Sequence, residues 1–329
     1  LLDFEVIRDA AGYGWRKAVT EATWTSDGKA RHGLTRWLAF ARNAVTPRHR
    51  WPKTWESLGR ITYIQPTERG ADLKCERGHI TVTFLTEDLV QVRYGAGETD
   101  TPAPPQSYAV AHPQAAWPVP ALIRHQEATA YLIQSQELIV GIRLETGQLF
   151  IAKPDGSLLR SDLDTGWGAN GAWRHRVTLT PQERVLGLGE RTTAYNRRGA
   201  THVLWNTDPA GYRDGDDPIN LNIPVAVHAV PREGDVMDAY LVFYDNPTYA
   251  EFDLGKTVAN VADHRFAGGE LRYYLTAGPP DRLLERYTAL TGRHPLQPLW
   301  MLGYHQSRWS YDSEERVRKL AADFRKHDV

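Results

Sequence analysis

The chain has 329 residues, room for about two domains, and its 41% apolar and 24% charged residues place it among folded proteins rather than disordered tails. A net charge of -1, from 39 basic and 40 acidic residues, gives no reason to expect nucleic acid or a membrane as partner, and no apolar run reaches the about 18 residues of a membrane helix. One cysteine, Cys75, leaves neither an internal disulfide nor a cysteine-based zinc site.

Residues 1 to about 55 differ from the rest of the chain. Leu34, Trp37, Leu38, Ala41 and Val45 follow a helical period, and Lys29 to Lys53 holds basic residues without an acidic one. The segment reads as a helical, basic N-terminal extension with a solvated face. Leu1-Leu2-Asp3 carries no charged leader before an apolar stretch. With a single cysteine, that leads us to expect a cytoplasmic protein.

From 56 to 280 the period becomes two. Ile80 to Phe84 and Val90 to Tyr94 alternate around Thr86-Glu87-Asp88, which predicts a hairpin with one buried face. Leu138 to Ile142 and Gln148 to Ile151 flank Thr146-Gly147 as a second hairpin. Pro154-Asp155-Gly156 and Ala267-Gly268-Gly269-Glu270 are turns, and Val225 to Val227 and Tyr240 to Tyr244 are further strands. Thr101 to Pro120, rich in Pro and Ala, is an irregular excursion. Many short strands without intervening helices imply a mainly β antiparallel sandwich.

The pattern changes again near 281. Leu283, Leu284, Tyr287 and Leu290 share a helix face, and Gly292 and Pro295 end it. Leu299 to Tyr304 is a continuous apolar run of strand length. Asp312 with Glu315 reads as a capping box before Val317, Leu320, Ala321 and Phe324 on one helix face. A buried strand followed by a capped helix opens a parallel α/β domain. Residues 281–329 therefore read as a linker helix and one βα unit, and we expect the chain to be the front part of something longer.

There is no P-loop, Rossmann fingerprint, nucleophile elbow or His-Glu-x-x-His, so no cofactor is expected. His125, His202, His228 and His264 are scattered and read as sheet or surface histidines rather than metal ligands. Two stretches concentrate chemistry. Trp205, Asn206, Asp208 and Tyr212 offer rings, an amide and a carboxylate, the groups that stack on and bind a sugar. The same Asx and Pro residues also make ordinary turns. His305-Gln306-Ser307-Arg308-Trp309 comes after the apolar run, where a barrel strand would carry site residues. A buried polar network is the other reading of His305 and Arg308. Eleven Trp and 15 Tyr fit sugar handling and a large β core equally well.

Gly187-Leu-Gly-Glu190, Trp205-Asn-Thr-Asp208, Tyr274 with Gly278-Pro279, Leu290-Thr-Gly-Arg-x-Pro295 and, most specifically, Leu299-Trp-Met-Leu-Gly-Tyr-His-Gln-Ser-Arg-Trp-Ser-Tyr311 resemble family 31 glycoside hydrolases. The resemblance is dense from about 185 to 329 and does not cover residues 1 to about 55. It implies a galactose-mutarotase-like antiparallel β-sandwich followed by the first βα unit of a (β/α)8 barrel. It implies a retaining α-glucosidase releasing terminal glucose from oligosaccharides, with two aspartates roughly 5 Å apart.

The family's nucleophile motif, Trp-x-Asp-Met-Asn-Glu-like, is absent, and the aspartate of barrel strand 2 would fall just after Val329. No catalytic residue is therefore assigned to this chain. By resemblance Asp208 reaches into the barrel mouth and binds the sugar in the leaving-group subsite. Trp309 lines the pocket, and Asn206, Thr207 and Arg308 support that wall. The expected partners are an oligosaccharide or α-glucoside, the rest of the barrel and a second copy in a homo-oligomer. Two alternatives are a noncatalytic carbohydrate-binding sandwich and a mutarotase-like epimerase, the latter needing a His and a carboxylate on one sheet face.

Overall fold

The computed structural model describes residues 49–97, 107–209, 211–233, 237–308 and 310–328. Two antiparallel sheets account for the strands among them. In hydrogen-bonded order and numbered along the chain, the first is β13 (Thr201–Leu204), β16 (Ala250–Leu254), β17 (Val261–Phe266), β11 (Trp173–Thr178), β10 (Leu158–Trp167), β9 (Leu149–Ala152), β8 (Ile139–Arg143), β7 (Ala130–Gln134) and β6 (Ile123–Gln126). A short β1 (Glu56–Ser57) pairs with β10. The second is β12 (Arg184–Gly187), β14 (Val225–Pro231), β15 (Met237–Tyr244), β18 (Leu271–Ala277), β5 (Leu89–Ala96), β4 (Gly78–Phe84), β3 (Gly70–Cys75) and β2 (Ile61–Thr67).

Strand parity builds the core between the sheets. Ile80, Val82 and Phe84, then Val90, Val92 and Tyr94, point inward from β4 and β5 and meet Phe252, Phe266 and Ile151 of the facing sheet. Both predicted hairpins are present, with Gly147 at a φ of 66° in the second. The one-faced reading of β4–β5 fails in the sheet centre. Leu89, Leu241, Phe243 and Tyr274 have the opposite parity and are buried too, because α1 (Pro280–Thr291) covers that face with Leu283 and Leu290.

Helix α1 starts on Pro280 and stops at Gly292, whose φ of 94° suits glycine. Leu283 and Leu290 are buried, about 1.5–3 kcal/mol each by area. Leu284, expected on the same face, is exposed. Asp88, in the β4–β5 turn and inaccessible to solvent, receives Arg282 Nε at 2.9 Å and Arg286 Nε at 2.9 Å. Two successive turns of the helix thus close on one buried carboxylate. The described residues up to Gly292 form one compact unit, so the helix belongs with the sandwich rather than with 293–329.

The basic run before residue 49 lies outside the described residues. Residues 49–55 are irregular rather than helical. Trp51 Nε1 donates to Glu251 at 2.9 Å, and Arg174 sits 6.0 Å from the Trp55 ring, so this stretch straps the outer face of the first sheet. The Pro-rich excursion, where described, holds one 3-10 turn, Gln114–Ala116. Arg69 pins its end through the carbonyls of Trp117 and Pro118.

Residues 293–329 form the second unit. The apolar run is not a strand: Leu299–Leu302 is a 3-10 turn, and Leu299, Trp300, Leu302 and Tyr304 are exposed. A parallel strand exists only by pairing with neighbours, and no strand among the described residues pairs with this run. Helix α2 (Glu314–Lys326) is present as expected, but its cap is Ser313, whose hydroxyl accepts from Arg316 N. Asp312, the expected cap, instead binds the Arg316 guanidinium at 2.9 Å.

Candidate functional site

The strongest sequence candidate lies where β13 runs out of the sheet. After Leu204 the chain continues as Trp205-Asn206-Thr207-Asp208, tied along its length to residues 217–222. Thr207 N donates to Ile219 O at 3.3 Å, its hydroxyl donates to Pro218 O at 3.0 Å, and Asn206 Oδ1 accepts from Asn222 N at 2.8 Å. The Thr207 hydroxyl therefore serves the loop. The Asn206 amide nitrogen stays unengaged among the described residues.

Beneath this loop lies a brace that the sequence reading missed. Asp217 accepts the Val203 N–H at 2.6 Å and forms an ion pair with Arg191, which also donates to Val203 O at 3.0 Å and Leu188 O at 3.2 Å. The Arg191 side chain is wholly covered, so one buried cation joins the end of β13 to the Gly187-Leu-Gly-Glu190 turn. Neither residue sits in a pattern that announces pairing across 26 positions.

That turn is itself constrained. Gly187, Leu188 and Gly189 have φ values of 114°, 67° and 80°. Leu188 N reaches Val225 O and Glu190 N reaches Leu221 O, both at 2.8 Å. A Cβ at Gly189 would lie 2.4 Å from Leu221 O and 2.8 Å from Ile223 N. Both are backbone atoms that cannot step aside. Gly189→Ala is expected to cost about 3 kcal/mol, read as a lower urea midpoint at unchanged slope.

Asp208 stands at the exposed end of the loop and makes no hydrogen bond or ion pair among the described residues. Trp205, 42% exposed, is backed by Tyr249 at 6.1 Å between ring centroids. Tyr249 donates to Glu251 at 2.8 Å, and burial followed by that carboxylate pushes its phenol up. Tyr212 is exposed. In the second unit Arg308 is exposed, its guanidinium 5.9 Å from the Tyr311 ring, and His305 bonds to Met301 O. Trp309 lies outside the described residues.

Two histidine–carboxylate pairs do converge, as an epimerase would need, but inside the sandwich. His175 Nε2 is 2.9 Å from Asp162, and His228 Nδ1 is 2.7 Å from Glu183. All four side chains are at most 2% exposed, so no sugar reaches them. His202 and His264 are buried as well, with backbone carbonyl partners, and His125 is exposed beside Glu127.

Comparison with known proteins identifies the family of the chain. The glycosyl hydrolase 31 N-terminal galactose mutarotase-like domain matches residues 79–253, and the glycosyl hydrolases family 31 TIM-barrel domain matches 294–329. Alpha-glucosidase 2 of Bacillus thermoamyloliquefaciens is 31% identical over 83% of this chain and 34% of its own length. The alpha-xylosidase XylQ of Lactiplantibacillus pentosus is 27% identical over 81% of this chain and 34% of its own. The solved GH31 dextranase of Flavobacterium johnsoniae, complexed with isomaltotriose, superposes with a TM-score of 0.72 at 26% identity, over 83% of this chain and 33% of that one. The chain spans about a third of the length of each of these three relatives.

Proposed function

This chain belongs to glycoside hydrolase family 31, and from that premise we propose that it is the front part of a retaining, exo-acting α-glucosidase that releases terminal glucose from oligosaccharides. The observation carrying the reading is Asp208: a carboxylate with no partner of its own among the described residues, at the tip of a loop whose backbone Arg191, Asp217, Thr207 and Asn206 lock. A charge held free on a rigid loop is preorganised for a ligand's hydroxyls, and fixing it in advance lowers the entropy cost of binding.

In this reading Asp208 holds the sugar in the leaving-group subsite, and Arg308 and Trp309 are further substrate-binding residues of the whole enzyme. The nucleophile and the acid/base are carboxylates of barrel strands beyond residue 329, roughly 5 Å apart for retention. The exposed Leu299, Trp300, Leu302 and Tyr304 fit strands that pack against them, since so much clustered apolar surface marks an interface. The relatives' names support an α-glucoside more than another sugar, as does the Trp-Asn-Thr-Asp-Pro-Ala-Gly-Tyr run.

Asp208→Ala in the whole enzyme is expected to raise KM for maltose roughly tenfold more than KM for an aryl α-glucoside. The aryl leaving group has no hydroxyls for Asp208 to hold. Equal increases for both substrates would remove Asp208 from the leaving-group subsite.

A further inference from the structure

The root of the same loop borders a cleft that Asp208 does not line. It has a volume of about 500 Å³, within the range of small-molecule sites, and its walls come from Leu204 to Asn206, Asn222, Pro224, Phe243 to Thr248 and Ala109. All of these belong to the sandwich unit, so the cleft needs nothing from residues 293–329.

Its groups suit one ligand chemistry. The Trp205 ring is substantially exposed yet held from behind: Tyr249 lies 6.1 Å away and is itself packed 6.2 Å from Trp51, while Tyr249 and Trp51 both donate to Glu251. A braced, half-open indole is a stacking surface that costs little entropy to use. Beside it, the Asn206 amide is oriented by the bond that its oxygen accepts from Asn222 N, which leaves Nδ2 free to donate. The one carboxylate on the wall, Asp245, is already neutralised by Arg272 at 2.8 Å and bonded by Ser107 at 2.9 Å. The cleft therefore presents no unbalanced charge to attract an ion. Pro224 and Pro247 stiffen the rim.

We propose that this cleft is a second saccharide-binding site, in which a neutral pyranose of a glucan chain stacks on Trp205 and accepts a hydrogen bond from Asn206. It binds without hydrolysis and does not depend on Asp208. The inference stands apart from the α-glucosidase reading, because it concerns binding by the sandwich alone.

The test is a titration of the 329-residue chain with maltotriose, followed by calorimetry and tryptophan fluorescence. Saturable binding with a Kd on the order of 1–10 mM is expected, as suits a shallow site with one stacking ring. Trp205→Ala should weaken it more than tenfold, Trp205→Phe should keep most of it, and Asn206→Ala should weaken it about fivefold. Asp208→Asn should leave it within about twofold. Absence of saturable binding by the folded protein overturns the proposal. So does an equal loss in Asp208→Asn and Trp205→Ala, which would merge this cleft with the leaving-group subsite. Loss in Trp205→Ala that Trp205→Phe fails to rescue would show that the ring props the loop rather than stacks on sugar. Failure of the maltose and aryl-glucoside kinetics would leave this result untouched.

Discussion

Replacing Asp162 with alanine is expected to lower the thermal midpoint of the protein by roughly 10 °C. Asp162 sits between the sheets, 1% exposed, where a sandwich core is normally apolar. It accepts from His175 at 2.9 Å, from Tyr94 OH at 3.0 Å and from Leu149 N at 3.3 Å, with Arg160 Nε at 4.0 Å. Burial pushes its carboxyl up, but His175, Arg160 and Tyr94 together outweigh burial and hold it below the ordinary carboxylate range.

Arg160 is as deep as Asp162. It donates to Tyr244 OH at 2.7 Å and lies 5.3 Å from the Tyr273 ring centroid. Tyr244 OH in turn lies 3.2 Å from His175 Nδ1 and 3.3 Å from His264 Nδ1. Cutting out Asp162 strands a buried guanidinium, a phenol, an imidazole and a peptide N–H at once. Breaking a buried pair from one side costs about 3–5 kcal/mol, and a domain this size loses about 2–4 °C per kcal/mol. Glu314→Ala is the control. Its Arg318 pair is more than three-quarters exposed, and its loss should be barely measurable. A shift of under about 2 °C for Asp162→Ala in circular-dichroism melts would mean that water already fills the cluster.

That cluster was not legible in the sequence, and the reason is geometric. Arg160 and Asp162 come from β10, His175 from β11 and His264 from β17, while Tyr94, Tyr244 and Tyr273 come from three strands of the facing sheet. On β11 the polar residue continues the inward parity set by its neighbours, as in Trp173, His175 and Val177, and on β17 His264 does so with Ala262 and Phe266. A period-2 reading treats such a residue as outward-facing. Alternation found the inward apolar residues of β4 and β5. It failed on the other face of that sheet, where α1 buries Leu89 together with Leu241, Phe243 and Tyr274.

The candidate site divides the same way. Trp205 to Asp208 stood out because a ring, an amide and a carboxylate fall within four positions. Arg191 and Asp217, which hold that loop in place, looked like charges in a Gly-rich loop and an Asx-Pro turn. The run Leu299 to Tyr304 has strand composition, but composition supplies no hydrogen-bonding neighbour, and the segment forms a 3-10 turn instead. Ser313 and Asp312 are both good caps. Arg316 decides between them by giving its N–H to one and its guanidinium to the other.

Acid is expected to destabilise the fold in two stages, the first with histidine as its cause. His202 on β13 is 1% exposed, and burial lowers it from its ordinary 6.5 to about 4, with Arg191 and Arg197 adding to the shift and the Arg197 carbonyl opposing it. Burial likewise lowers His228, and lowers His264 further with Arg160 nearby. In each case the unfolded chain takes a proton that the fold refuses. Stability is therefore complete above about pH 6.5 and falls as pH drops through that value, and for His202 the loss levels off near pH 4. At about 1.4 kcal/mol per pKa unit, His202 alone removes up to about 3 kcal/mol. The second stage lies lower. Burial raises the Glu183 and Asp162 carboxyls, but their hydrogen bonds and neighbouring charges outweigh it and hold both below the ordinary range, so their contribution is lost only below about pH 4.5. Urea midpoints measured from pH 8 to 4 should be flat above pH 7 and decline steadily beneath it. His202→Gln should flatten that decline by about one proton's worth of slope between pH 6.5 and 4.5. An unchanged slope would mean that His202 is already protonated in the fold. Because a cation at His202 would sit against Arg191 and Arg197 at the root of the Asp208 loop, hydrogen exchange at pH 5 should rise first at residues 201–208, before the sandwich core opens.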